Sequence, residues 1–276
     1  ILIYSDQFKS MNIQEVSKDL KYQKNKQYLN YLEGIIWALN RIGLTIEKGM
    51  NITLMSSLPA GSGLSSSACL EVLLLTIIND QCNLKLTKEQ IVFLSKKVEN
   101  DYIGISSGIM DQFIITFGEK NKALLLDTER LSYEYFDVDM DTYQWILMNT
   151  NKSRELVESE YNLRFESIAE AIKYFDKPLG KITLETLLNQ KENIPSEVFS
   201  FFHHVVSENS RTLKAVEALK NRDYSLFGQL MYKSHESLKN DFKVSCPELD
   251  YLTDWNRNNG AIGARMTGAG FGGTMI

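Results

Sequence analysis

The sequence predicts a mixed α/β (α+β) protein in two parts, residues 1–150 and 151–276. An alternating apolar segment at 52–58 is typical of a strand, and the mainly apolar run at 69–78 is typical of a buried helix. Further short strands are predicted at 122–127, 133–138 and 144–149. After residue 155 the patterns become mainly helical, so the boundary between the two parts is predicted near residue 150.

The helices are predicted from spacing and from their end signals. Apolar residues repeat at helical spacing from Leu29 to Ile42 and stop at Gly43. The pattern Thr87-Lys88-Glu89-Gln90 is a capping box that opens another helix. The remaining helices are predicted at 155–175, at 196–221, from after the cap residue Asp223 to residue 240, and at 247–258. The first two dozen residues have no clear pattern, and 177–196 is predicted to be a variable insertion.

Composition excludes several classes of protein. The 276 residues carry a formal net charge of -5, so there is no basic footprint for nucleic acid. No apolar run approaches the roughly 20 residues needed to cross a membrane, and we expect a cytoplasmic protein. The three cysteines are too few and too scattered for a disulfide framework or a zinc site. The sequence leaves open whether the protein is a monomer or a dimer.

We name residues 58–68, Leu-Pro-Ala-Gly-Ser-Gly-Leu-Ser-Ser-Ser-Ala, the serine loop. Because it lies between a predicted strand and a predicted helix, it is expected to contain the helix start. Gly61 and Gly63 permit positive φ angles and close approach to a ligand. Free N–H groups of a first helical turn favour a phosphate, and the hydroxyls of Ser65 to Ser67 add donors or a ligand for a cation. A flexible linker is the alternative, which the flanking elements oppose. No lysine precedes the serines, so this is not a Walker loop.

Asp111 is a carboxylate in an apolar segment that follows a glycine-rich turn. An unpaired buried charge is costly, so this acid is expected to be hydrogen-bonded, paired or functional. From the residues alone, a helix cap is the favoured interpretation and a catalytic role is the alternative. Glu99 lies near the end of the preceding predicted helix.

The final segment, residues 263–273, is rich in glycine. Gly268, Gly270 and Gly273 match the dinucleotide pattern G-x-G-x-x-G, but the strand and helix context that this pattern requires cannot be read here. The residues are equally compatible with two interpretations. The segment is either a tight loop that joins two strands or one wall of a phosphate site.

Taken together, three ordered motifs resemble the GHMP small-molecule kinases and, among them, the galactokinases. The serine loop is similar to the family's phosphate loop, and Gly108-Ile109-Met110-Asp111-Gln112 is similar to the galactokinase catalytic motif. Residues 264–273 resemble the C-terminal glycine motif, and 149–155 with 161–164 resemble the segment that closes over the sugar. The resemblance implies a two-lobed fold, with an N-terminal lobe like ribosomal protein S5 domain 2 and a ferredoxin-like C-terminal lobe.

The resemblance also implies an activity, the ATP-dependent phosphorylation of galactose at its C1 hydroxyl, with Mg²⁺ as the cation. The residues implied to bind ATP are Gly61, Ser62, Gly63, Leu64, Ser65, Ser66, Ser67, Gly268, Ala269 and Gly270. Ser67 and Glu99 are implied to hold Mg²⁺. Asp111 is implied to accept the proton of the sugar hydroxyl or to orient it, and Tyr161 to contact galactose.

The chain also departs from the galactokinase pattern. It has no G-R-x-N-L-I-G-E-H-T-D-Y signature, so we expect both lobes to be incomplete at the chain's ends and this stretch alone to be a poor kinase. Thr274 stands where many relatives have Cys, and we expect it to serve packing only. The alternatives are a kinase for another sugar such as N-acetylgalactosamine, or a galactose and ATP sensor without catalysis. A nicotinamide dehydrogenase is a remote option.

Overall fold

The computed structural model describes residues 1–17, 19–59, 62–138, 143–152 and 157–276, without the side chains of 157–159 and 161. The chain divides into two compact units. The first unit comprises Ile1–Ala60 and Ser65–Glu119, and the second comprises Gly61–Leu64 and Lys120–Ile276. The division predicted from the sequence at residue 150 stays a prediction.

The described residues form a mixture of helices and strands, so the predicted fold class is confirmed. The strands are β1 (Leu2–Ser5), β2 (Ser10–Ile13), β3 (Asn51–Leu54), β4 (Lys122–Asp127), β5 (Ser132–Asp137), β6 (Met148–Asn149) and β7 (Thr274–Met275). The helices are α1 (Leu29–Arg41), α2 (Ser66–Gln81), α3 (Lys88–Lys97), α4 (Met110–Phe117), α5 (Val157–Ile172), α6 (Leu184–Leu188), α7 (Ser196–Lys220), α8 (Tyr224–Asn240) and α9 (Pro247–Asn258). Among the described helices, none has both the length and the apolar character that a membrane span requires.

The first unit contains a three-stranded sheet in the order β2-β1-β3, in which β1 is antiparallel to β2 and parallel to β3. Ile3 pairs with Ile52 in this sheet, and both side chains join a core that includes Leu32, Leu75 and Ile78. Burial of each such side chain stabilises the folded state by roughly 1.5–3 kcal/mol. β2 lies in the stretch where the sequence had no clear pattern, and its apolar residues Met11 and Ile13 are exposed at the edge of the sheet instead of joining the core.

The predicted capping box of α3 is confirmed. The backbone N–H of Gln90 donates to Thr87 Oγ1 at 3.3 Å, and the N–H of Thr87 donates to Gln90 Oε1 at 2.9 Å. Both bonds satisfy donors at the start of α3 that no helical carbonyl can reach. After Lys97 the helix widens into a π-helical turn, Val98–Ile103, which ends at Gly104 with φ of 92°.

The second unit contains two antiparallel strand pairs, β4 with β5 and β6 with β7, together with α5 to α9. Asp223 caps α8 by accepting a hydrogen bond from the N–H of Leu226, as its position before the helix predicts. The predicted insertion at 177–196 contains α6, whose Leu187 packs in a small apolar core against Phe202 of α7. This element was missed because five residues are too few for a helical pattern to be recognised.

Candidate active site

The serine loop leads into the start of α2. Ser66 is the first helical residue, and Ser65 before it has a left-handed backbone with φ of 54° and no capping hydrogen bond from its side chain. Gly63 also has a positive φ, 76°, as predicted for a loop that turns sharply. Ser65, Ser66 and Ser67 are half-buried, so their hydroxyls can still meet a ligand. Gly61 lies outside the described residues.

Ser62 is buried, and its carbonyl accepts a hydrogen bond from the hydroxyl of Thr274 at 2.8 Å. The expectation that Thr274 serves packing only is therefore wrong. The two residues lie 212 positions apart in the chain, so no sequence pattern could have paired them. A Cys side chain at this position would donate only weakly.

Glu99 lies in the π-helical turn and is 8% exposed. Its Oε2 accepts hydrogen bonds from Ser107 Oγ at 2.5 Å and from Gln112 Nε2 at 2.9 Å. Its Oε1 accepts from Ser67 Oγ at 3.3 Å, which is long for a hydroxyl donor to a carboxylate. The carboxylate therefore has one oxygen held by two donors and one oxygen directed at the start of α2.

The oxygen pair of Ser67 and Glu99 fits a Mg²⁺ ion that also binds nucleotide phosphates. Mg²⁺ prefers hard oxygen ligands at about 2.0–2.1 Å in an octahedron, so neighbouring ligand oxygens lie about 2.9 Å apart. The measured separation of 3.3 Å is close to that value. In the described part of the chain no group of three His, Cys, Asp or Glu could hold a metal, so the remaining ligands would be phosphates and water.

Asp111 is the second residue of α4 and is half-buried. The cap position of α4 is Ile109, so the interpretation of Asp111 as a helix cap is wrong. A carboxylate in the first turn of a helix is stabilised by the helix dipole and by free N–H groups there. Asp111 also lies close enough to the buried carboxyl group of Glu71 for its charge to raise the pKa of that group.

Glu71 was missed by the sequence analysis. It follows Ser67 by one helical turn on α2, its side chain is fully buried, and its Oε2 accepts from Gln112 Nε2 at 3.2 Å. Burial raises the pKa of Glu71 to about 9, with further contributions from the charges of Glu99 and Asp111. The available signal was an acid in the middle of an otherwise apolar helix. We name these three carboxyl groups, with Gln112, the acid cluster.

The terminal glycine segment is a loop between two antiparallel strand segments. Arg265 and Ile276 exchange backbone hydrogen bonds at 2.9 Å, and the N–H of Thr267 donates to Thr274 at 2.9 Å. Gly270 has φ of 90°, and a Cβ there would lie 2.2 Å from the carbonyl oxygen of Val244. Gly268 is exposed, Ala269 is half-buried and both glycines have positive φ. This loop between strands differs from the strand-to-helix turn of a dinucleotide site.

Tyr161 lies on α5, and its side chain lies outside the described residues. Arg164, one turn later, is buried and donates to the carbonyl oxygens of Phe242 and Lys243 at 2.8 Å and 2.9 Å. These bonds give Arg164 a structural role within the second unit.

Two family models match the chain. The model described as GHMP kinases N terminal domain matches residues 30–119, and the model described as GHMP kinases C terminal matches residues 215–276. A galactokinase from Clostridium perfringens is 42% identical, over 99% of this chain and 73% of that protein. A galactokinase from Ligilactobacillus salivarius is 43% identical over the same shares.

The chain is also similar to solved structures of kinases. The crystal structure of Lactococcus lactis galactokinase complexed with galactose has a TM-score of 0.93 and 39% identity, and it covers 100% of this chain and 73% of that chain. The mevalonate kinase of Methanococcus jannaschii has a TM-score of 0.60 at 20% identity, over 99% of this chain and 75% of that chain. The second likeness concerns the fold alone.

Proposed function

This chain belongs to the GHMP kinase family and within it to the galactokinases, and on that premise we propose that it transfers the γ-phosphoryl group of ATP to the C1 hydroxyl of galactose. The observation that supports this proposal best is the start of α2. There, free helical N–H groups adjoin the Ser67 hydroxyl, which faces Glu99 Oε1 at 3.3 Å. Phosphoryl transfer depends chiefly on positioning the phosphates and neutralising their charge.

The serine loop supplies the groups that would bind the ATP phosphates. The first N–H groups of α2 have no helical acceptor, and the helix dipole favours an anion at this end. The hydroxyls of Ser65 and Ser66 add donors. Ser62 and Leu64 belong to the same loop, and the Thr274 hydrogen bond holds the Ser62 backbone. Gly63 allows the loop to turn around the phosphates. We propose that Gly61 also takes part in binding the phosphates.

Ser67 and Glu99 would hold the Mg²⁺ that accompanies ATP. When bound, this ion neutralises the phosphate charge that the lysine of a Walker loop would otherwise neutralise. The chain itself contributes one hydroxyl oxygen and one carboxylate oxygen, which matches the few protein ligands that Mg²⁺ sites for nucleotides usually have.

Asp111 is the proposed base, which accepts the proton of the C1 hydroxyl or orients that hydroxyl toward the γ-phosphate. Its half-buried position on α4 leaves it reachable by a substrate. A positioned carboxylate of this kind typically accelerates a reaction by about 10² to 10⁴. Tyr161 is proposed to contact the sugar, and Gly268, Ala269 and Gly270 to lie against the nucleotide.

The test is an ADP-release assay on the intact protein with Mg-ATP and, in parallel, galactose, N-acetylgalactosamine, glucose and mevalonate. We expect turnover with galactose only. Turnover restricted to N-acetylgalactosamine would assign a different sugar. Binding of galactose and ATP, measured by calorimetry, without turnover on any substrate would overturn the kinase proposal in favour of a sensor. A cytoplasmic location stays a prediction, which fractionation of the source cells would test.

A further inference from the structure

Gln112 connects two of the buried carboxyl groups in the acid cluster. It is fully buried on α4, directly after Asp111. Its Nε2 donates to Glu99 Oε2 at 2.9 Å and to Glu71 Oε2 at 3.2 Å. Both hydrogens of the amide are thereby used, and each is received by a carboxyl group of a different helical element.

The orientation of this amide is determined by its hydrogen bonds. If the amide were turned over, its oxygen would face the acceptor oxygen Glu99 Oε2, and the bonds that Nε2 donates to both carboxyl groups would be lost. The orientation with Nε2 toward both carboxyl groups is the one that makes hydrogen bonds. Gln112 therefore cannot rotate without losing both of them.

Glu71 holds the Gln112 amide in this orientation. Among the described residues, neither Glu71 Oε1 nor Gln112 Oε1 has a hydrogen-bond partner. The hydrogen bond from Gln112 Nε2 to Glu71 Oε2 at 3.2 Å is the contact that fixes the amide on the side of α2.

The hydrogen bonds on Glu99 decide which of its oxygens remains available. Ser107 and Gln112 both donate to Oε2, and Oε1 is left with the long contact to Ser67. The geometry points to Gln112 as a positioning residue that turns Glu99 Oε1 toward the cation of the nucleotide, with Glu71 as the group that anchors Gln112. This inference rests on the proposed function, in which Glu99 is a ligand of that cation.

The inference predicts a metal effect for Gln112→Leu, which keeps a similar volume but removes both donors. We expect the Mg²⁺ concentration for half-maximal activity to rise about 10- to 100-fold, as for other groups that orient metal ligands. The KM for galactose and the kcat at saturating Mg²⁺ should change little. The second readout is Mn²⁺ binding, measured by electron paramagnetic resonance with a non-hydrolysable ATP analogue, which should weaken by the same factor.

Two further variants separate positioning from general packing. Glu71→Leu removes the acceptor of Gln112 Nε2, so Mn²⁺ binding should weaken, and binding within about twofold of that of the wild type would overturn the anchoring role of Glu71. Phe113→Leu disturbs the next buried residue of α4 without removing a donor to Glu99. If Phe113→Leu weakens Mn²⁺ binding as much as Gln112→Leu does, the effect is packing and the inference is overturned.

A last variant distinguishes this inference from the proposed function. Glu99→Gln should weaken Mn²⁺ binding at least as much as Gln112→Leu. If Glu99→Gln has no effect on Mn²⁺ binding, the proposed ligand role of Glu99 fails, and the inference fails with it. If Glu99→Gln weakens binding and Gln112→Leu does not, only the positioning role is overturned.

Discussion

Two acidic sites in this protein differ in how the surrounding residues compensate their charge. In the first unit, Glu71 lies near the carboxyl groups of Glu99 and Asp111, and no described cationic side chain pairs with the acid cluster. In the second unit, Glu208 on α7 accepts hydrogen bonds from Arg211 and from Ser234, and Arg265 lies 3.8 Å away. We name this second group the arginine network.

The pKa directions reflect this difference. Burial raises the pKa of Glu71 to about 9, and the neighbouring acids add to the effect. Burial alone would also raise the pKa of Glu208, but Ser234, Arg211 and Arg265 together hold it below its ordinary value. A carboxylate whose charge is matched within the protein stabilises the fold. Several carboxyl groups without a cationic partner in the protein are typical of a site that binds a cation.

The largest effect that would test the comparison is expected from Asp111→Asn in the acid cluster. This change should lower kcat by about 10² to 10⁴, because the amide cannot accept the proton of the sugar hydroxyl. Calorimetry should show that Mg-ATP still binds. Asp101→Asn is the matched control, since Asp101 is half-exposed in a surface ion pair with Lys97 and should leave kcat unchanged. Near-normal turnover by Asp111→Asn would refute the role of Asp111.

A smaller effect is expected from Glu208→Gln in the arginine network. Removal of the charge should lower the free energy of unfolding by about 1.5–3 kcal/mol at pH 7, the usual loss for hydrogen bonds to a charged group. Because the pKa of Glu208 is lowered in the folded state, this stabilisation exists above the ordinary value of 4.5 and is lost as the pH falls through the folded value. Urea denaturation at pH 7 and pH 4 would measure it. An equal difference at both pH values would contradict the ion-pair explanation.

The same substitution in the acid cluster, Glu71→Gln, should have the smallest effect of the three at pH 5, and its effect should depend on pH in the opposite direction to that of Glu208→Gln. At pH 5 the free energy of unfolding of the variant should lie within about 0.5 kcal/mol of that of the wild type, because Gln resembles a neutral carboxyl group. Between the ordinary value of 4.5 and about 9, the folded wild type binds more protons than the unfolded chain, so its stability falls as the pH rises. The variant lacks this loss.

Urea denaturation of both proteins at pH 5, 7 and 8 would therefore give a difference that grows in favour of Glu71→Gln. If instead the variant is destabilised more at pH 8 than at pH 5, Glu71 is ionised in the folded protein. That result would remove the contrast between the two regions.

Much of the local structure could be predicted from the sequence. The capping box at Thr87, the cap at Asp223 and the helix that starts at Pro247 all depend on residues within one turn of each other. Such signals survive in the folded protein because local hydrogen bonds satisfy the free groups at helix ends. The order of the three motifs was likewise sufficient to identify the GHMP kinase family.

The candidate site could be predicted only in part. Ser67 and Glu99, implied by the resemblance, are in hydrogen-bond contact although they lie 32 positions apart. The assignment of Asp111 to a helix cap was wrong because Ile109 occupies the cap position and Asp111 is already inside the helix. The Thr274 hydroxyl was wrongly assigned to packing, since its acceptor is a backbone carbonyl that carries no sequence signal.

The sequence by itself determined the fold class and most helix ends, because periodicity and capping act over a few neighbouring positions. Tertiary structure alone decided which oxygen of Glu99 faces Ser67, and that Gln112 reaches Glu71 over 41 positions of the chain. Those pairings depend on how α2, the π-helical turn and α4 pack. Packing is set by the shapes and charges of all the contacting side chains, which no local pattern records.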